Sequence, residues 1–152
     1  MSEISNLLDE LKRIQAGDAW HGPALKETLA DVTAAEAAAR PAPGAHSIWE
    51  LVLHIAAWED VFRRRLEGEP VNEPAEGDFP QVQDQQGWNA AVAKLDAAHA
   101  QFIEKISTLT DADLSRIVEG KDYTIAYMLH GVVRHHVYHA GQVGILKRIV
   151  RK

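Results

Sequence analysis

The chain has 152 residues, the size of one ordinary domain, and residues 1–152 are expected to form a single unit that buries a core without staples. Sixteen Lys and Arg against 22 Asp and Glu leave a formal net charge of -6, which removes the electrostatic drive for nucleic-acid binding. The absence of cysteine excludes disulfides, thiolate metal sites and cysteine nucleophiles, so any transition metal has to be held by nitrogen and oxygen.

From Ser2 to about Gln15, Ile4, Leu7, Leu8, Leu11 and Ile14 share one helical face, with Lys12 and Arg13 late, as the helix dipole prefers. This N-terminal segment carries polar and acidic residues where a signal peptide needs an apolar stretch. No apolar run along the chain approaches a membrane span either. The expectation is a cytoplasmic protein with no membrane partner. Gly17, Asp18 and Pro23 interrupt the pattern before Ala24 to Val32, so the first helix is expected to be bent or broken, with the Trp20 indole packed at the break.

Thr33 with Glu36 reads as a capping box opening a short turn to Ala38, ahead of an extended linker over residues 40–45. A second capping box, Ser47 with Glu50, opens helix two, whose face is Ile48, Leu51, Val52, Ile55, Trp58, Phe62 and Leu66. His54 falls at the edge of that stripe. Residues 68–80 are acidic, rich in Pro and Gly and without a period, a loop long enough to cross one end of a bundle. Helix three is expected from about Gln83 to Thr108, with Trp88, Val92, Leu95, His99, Phe102, Ile106 and Leu109 on its stripe. A capped turn over Thr110 to Leu114 follows, and Thr124 caps the last helix. Four amphipathic helices with no period-two pattern predict an all-α four-helix bundle, and the loop between helices two and three allows a crossover-type connection.

The last helix carries the chemistry. Its apolar residues Ile125, Met128, Leu129, Val132, Val143, Leu146 and Val150 recur at helical spacing. On it His135 and His139 lie about 40° apart, one turn from each other, while His136 lies about 60° from His139 and nearer the middle of the stripe. That is metal-ligand spacing, but it does not choose between the pairs 135/139 and 136/139. His54 is the natural third ligand. An imidazole stripped of water is costly unless both nitrogens are occupied, a demand that a metal on one and a hydrogen bond on the other meets.

Other groups are weighed against plainer roles. Gln142, about 20° from His135 on the helix, is the possible catalytic or ligand-orienting residue, with a surface amide as the equal alternative. Glu50 is explained by its capping box. Glu59 and Asp60 read as a solvated face, and so do Arg63, Arg64 and Arg65, which otherwise suit an anionic cosubstrate. His99 reads as a hydrogen-bonded core histidine, Trp49, Trp58 and Tyr138 as core, and His46 and His130 as lying outside the convergent set.

The runs Trp20-His-Gly-Pro-Ala-Leu25, Arg40-Pro-Ala-Pro-Gly-Ala-His-Ser-Ile-Trp-Glu-Leu-Val-Leu-His54 and Arg134-His-His-Val-Tyr-His-Ala-Gly-Gln142 together resemble the DinB-like superfamily of metal-dependent enzymes. The resemblance covers nearly the whole chain, and its most specific part is one histidine in helix two combined with an HxxxHxGQ signature in the last helix. It implies a four-helix bundle, commonly a homodimer, in which His54, His135 and His139 hold a divalent metal, zinc or nickel. Relatives often have an acid at the position of His136, which leaves that residue as a support for the ligands, a satisfied core residue or an alternative ligand, in that order.

Three neutral ligands leave a coordination position for water or substrate, the arrangement of catalytic rather than structural zinc. Such a metal either acidifies a bound water, as in a hydrolase, or holds a substrate thiol as thiolate, as in a thiol S-transferase. The resemblance likewise implies a small-molecule substrate and a low-molecular-weight thiol cosubstrate, which a chain without cysteine cannot replace. The alternatives are a non-catalytic metal or small-molecule binding module, and a helical interaction protein whose histidines are structural.

Overall fold

The computed structural model describes residues 2–82 and 87–152. Among them the chain is all-α, with six α-helices: α1 (Glu3–Ala16), α2 (Leu25–Leu29), α3 (Ala34–Ala38), α4 (Ile48–Leu66), α5 (Gly87–Ser107) and α6 (Ile125–Val150). A 3₁₀ turn at Asp111–Ser115 joins α5 to α6, and none of the described helices is long and apolar enough to cross a membrane. The first four residues expected of helix three, 83–86, lie outside the described residues.

The helix starts follow from their caps. Thr33 and Ser47 accept from the backbone N–H of Glu36 and Glu50, whose carboxylates bond back, and Thr124 accepts from the N–H of Tyr127. Glu50 is thereby spent: it accepts from the Ser47 N–H at 2.7 Å and pairs with Arg40. The start of α1 is capped from far along the chain, because the Asp111 carboxylate accepts from the N–H groups of Glu3 and Ile4 at 3.1 and 3.0 Å. The first helical segment is broken rather than bent. Gly17 at φ 155° and Asp18 at φ 60° turn the chain out of the helix. Trp20 at this break stands fully in solvent instead of packing.

The long helices α1, α4, α5 and α6 pack on one another, α4 most extensively against α5. Their buried faces form two apolar clusters. One gathers Leu25, Leu29, Ile48, Leu51, Ile55, Trp88, Leu95 and Val143; the other gathers Leu7, Leu11, Leu66, Phe102, Ile106, Leu129 and Val132. Each such side chain contributes about 1.5–3 kcal/mol by leaving water. Along α4 the first cluster ends at Ala56 and the second takes Leu66; along α5 the change falls between Leu95 and Phe102, and along α6 between Val133 and Val143. The intervals hold Glu59, His99, His135, His136 and His139, so a layer of polar side chains divides the core.

Candidate metal centre

His54 comes from the middle of α4, and His135 and His139 come from successive turns of α6. Helical spacing brings the latter two together, and the packing of α4 on α6 brings the first to them. His54 Nε2 lies 3.0 Å from His135 Nε2, and His139 Nε2 lies 3.1 Å from the same atom. In a tetrahedral site with metal–nitrogen distances of about 2.0–2.1 Å the ligand nitrogens stand roughly 3.3–3.4 Å apart, close to this spacing.

The far side of each ring fixes which nitrogen is free. His54 Nδ1 donates to the carbonyl oxygen of Asp78 at 2.6 Å, and His139 Nδ1 donates to Gln142 Oε1 at 2.6 Å. Both Nε2 atoms are then unprotonated and aim lone pairs at His135. His135 carries at most one proton on Nε2, so it can satisfy only one of these neighbours, while its buried Nδ1 has no partner among the described residues. Three imidazoles arranged this way lack hydrogens for their own contacts and suit a cation, and the residues therefore fit the group.

Electrostatics agrees. Burial, then repulsion from His139, His136 and His54, pushes His135 down to about 3. Burial also lowers His54 and His139, against the opposing hydrogen bonds of Asp78 and Gln142 respectively. All three rings are held neutral, the form that binds metal.

The loop between α4 and α5 supplies the support that its composition did not reveal. Besides its carbonyl contact, Asp78 accepts the Trp58 indole N–H on its carboxylate at 2.7 Å. Phe79 stacks between two imidazoles, with ring centroids 4.3 Å from His54 and 3.5 Å from His46. His46 thus reaches the site through a ring rather than a nitrogen. Gln142, the glutamine of the HxxxHxGQ run, also lines a cavity of about 260 Å³ with His46, Leu51, Ile145 and Leu146.

Several residues stand elsewhere than expected. Glu59 is not on a solvated face but wholly buried, with His99 Nδ1 2.6 Å and His136 Nε2 3.2 Å from its Oε1. Burial opposes its charge, yet His136 and then His99 outweigh that and keep the carboxyl below its usual range. Its place was legible, since it lies four after Ile55 and three before Phe62, squarely on the apolar stripe. Asp60 does pair near the surface, with Arg63. Arg65 is buried, donating to the carbonyls of Val71 and Asn72 at 2.8 Å, while Arg63 pairs with Asp60 and Glu67 and Arg64 with Glu69 just past the helix end. Trp49 is buried as expected, but Tyr138 is exposed. His130 faces Glu3, away from the centre.

The sequence profile of the DinB superfamily matches residues 19–143, which include all three histidines and Gln142. No curated protein matches. A crystal structure of a conserved protein from Enterococcus faecalis is similar over 99% of this chain and 98% of that one, with a TM-score of 0.73 at 20% identity, a likeness of fold.

Proposed function

The chain belongs to the DinB superfamily, and from that premise we propose that it is a metal-dependent enzyme whose His54, His135 and His139 hold one divalent ion, zinc or nickel. The single observation that carries this reading is the meeting of three imidazole Nε2 atoms, two of them within 3.1 Å of the third. A divalent ion held there supplies a Lewis acid with an open coordination position, suited to hydrolysis or to transfer of a group onto a low-molecular-weight thiol. The thiol comes from a cosubstrate, since the chain has no cysteine.

The protein's own residues have separate duties in this reading. Asp78 and Gln142 set the tautomers of His54 and His139. Phe79 and Trp58 shield the His54 ring from water on the loop side. Gln142 lies where the ligand shell meets the cavity, which makes it the side chain placed to contact a small substrate. The same proposal includes a four-helix bundle of α1, α4, α5 and α6 with a crossover between α4 and α5. It also includes a homodimer through the exposed face of α6, where Tyr127, Tyr138 and Ile145 are each more than 60% exposed.

The experiment is metal analysis of untagged protein purified without added metal, beside turnover assays with thiol cosubstrates. Bound zinc or nickel that is lost from His135→Ala, together with thiol-dependent turnover, is the expected result. Metal-free protein, or metal unchanged in His135→Ala, overturns the reading. Bound metal without turnover of any substrate turns it into a binding module.

A further inference from the structure

Three core positions carry polar side chains where their stripes otherwise carry Leu, Ile, Val and Phe. Glu59 of α4 is 0% exposed, His136 of α6 2% and His99 of α5 8%. Their contacts are close but incomplete. His99 Nδ1 is hydrogen-bonded to Glu59 Oε1 at 2.6 Å, and His136 Nε2 lies 3.2 Å from the same oxygen without hydrogen-bond geometry. Among the described residues, Glu59 Oε2, His99 Nε2 and both nitrogens of His136 are buried without a hydrogen-bond partner. Buried polar atoms are nearly always paired. A carboxylate and two imidazoles in a dry core, with four such atoms left over, are costly unless another charge joins them.

We propose that Glu59, His99 and His136 form a second divalent-cation site, distinct from the three-histidine centre. One donor atom of each residue lies within 4.8 Å of the others, and the three come from three different helices, so the packed core defines their positions. Two imidazoles and one carboxylate make a nitrogen and oxygen set that suits zinc, iron, cobalt or manganese and disfavours calcium and magnesium, which take oxygen alone. The carboxylate also separates this site from its neighbour: it offsets one of the two cationic charges, whereas the three-histidine centre offsets none. The two sites adjoin through consecutive residues, His135 and His136, whose ring centroids are 6.3 Å apart, so the polar layer of the core would hold two ions.

The test uses cobalt(II) as the probe, titrated into the chelator-stripped full-length chain and followed by visible absorption and calorimetry. Wild type is expected to take two equivalents. His54→Ala, which removes a ligand of the other site alone, is expected to keep one, and His99→Leu or Glu59→Gln to lose the other. Saturation of wild type at one equivalent with none left in His54→Ala overturns the proposal and leaves the three-histidine reading intact. Two equivalents in wild type that are unaffected in His99→Leu and Glu59→Gln also overturn it. Because those variants remove core contacts, wild-type crystals soaked in cobalt give an independent readout. An anomalous peak among Glu59, His99 and His136 is expected, and a map with density at the three histidines alone sinks the second site.

Discussion

The Asp78 carbonyl oxygen receives the Nδ1–H of His54 at 2.6 Å, across 24 positions of sequence. The loop that brings it there is anchored a second time by the Asp78 carboxylate, which takes the Trp58 indole N–H and lies 3.3 Å from the same His54 nitrogen. A loop residue therefore decides the tautomer of a helix-borne histidine of the candidate centre.

Asp78→Ala removes the anchor while leaving a carbonyl in the backbone. Metal affinity, measured by competition with a chromogenic chelator, is expected to fall by about tenfold, at the lower end of what outer-shell partners contribute. Trp58 fluorescence should change at the same time. Wild-type affinity in this variant would show that the loop does not hold the ligand.

Gln142 tests the same idea from α6. Gln142→Ala deprives His139 Nδ1 of its acceptor and is expected to weaken metal binding by roughly 10–100-fold, with little loss of fold stability because the side chain is only half-buried. Gln142→Glu keeps an acceptor in place and should restore affinity. If the two variants behave alike, the bond to His139 is not what Gln142 contributes.

Acid should destabilise the metal-free protein in a particular window. His135 is lowered to about 3, by burial first, and His54 and His139 are lowered as well. The unfolded chain therefore takes up these protons first. Stability is complete above about 6.5, the ordinary histidine value, and declines as pH falls toward about 3 for His135. Asp31, Glu36 and Asp113 are each held at about 2, chiefly by hydrogen bonds to Lys147, Arg151 and the Thr110 backbone respectively. Their effect begins only as pH enters the usual carboxylate range and continues down to about 2, so most of the interval from about 6.5 to 4.5 belongs to histidine. The urea midpoint of chelator-treated protein should drop through that interval, less steeply in His135→Ala. A flat midpoint there would contradict neutral buried imidazoles.

Tyr127, Tyr138, Ile145 and Ile149 are all exposed on α6 and recur at 11, 7 and 4 residues, which aligns them along one side of the helix. The proposed homodimer buries this stripe. Tyr138→Glu combined with Ile145→Glu should convert the species seen by light scattering from dimer to monomer while the circular dichroism of the helices is kept. A wild-type monomer, or a double variant that stays dimeric, removes this surface from the proposal.

Local rules were enough to read much of the molecule from its residues. The capping boxes at Thr33 and Ser47, the cap at Thr124, the break near Gly17 and the three or four residue rhythm of α4, α5 and α6 depend on neighbours within one helical turn, and one chain segment contains all of them. His135 and His139 were visible as a pair for the same reason. Angles on a helix left the pairs 135/139 and 136/139 both open, and it is the approach of α4 that puts His54 Nε2 against His135 and Glu59 against His136. Glu59 had an apolar-stripe position in plain sight, yet a carboxylate ordinarily faces water, and its partners there, His99 of α5 and His136 of α6, come from other helices. Asp78 and Phe79 had no signal at all, because a loop without periodicity takes its contacts from whatever surface it crosses. Periodicity records which face of a helix is buried, but the neighbours that face meets, and hence which nitrogens and oxygens share a point in space, are settled by how separate helices pack.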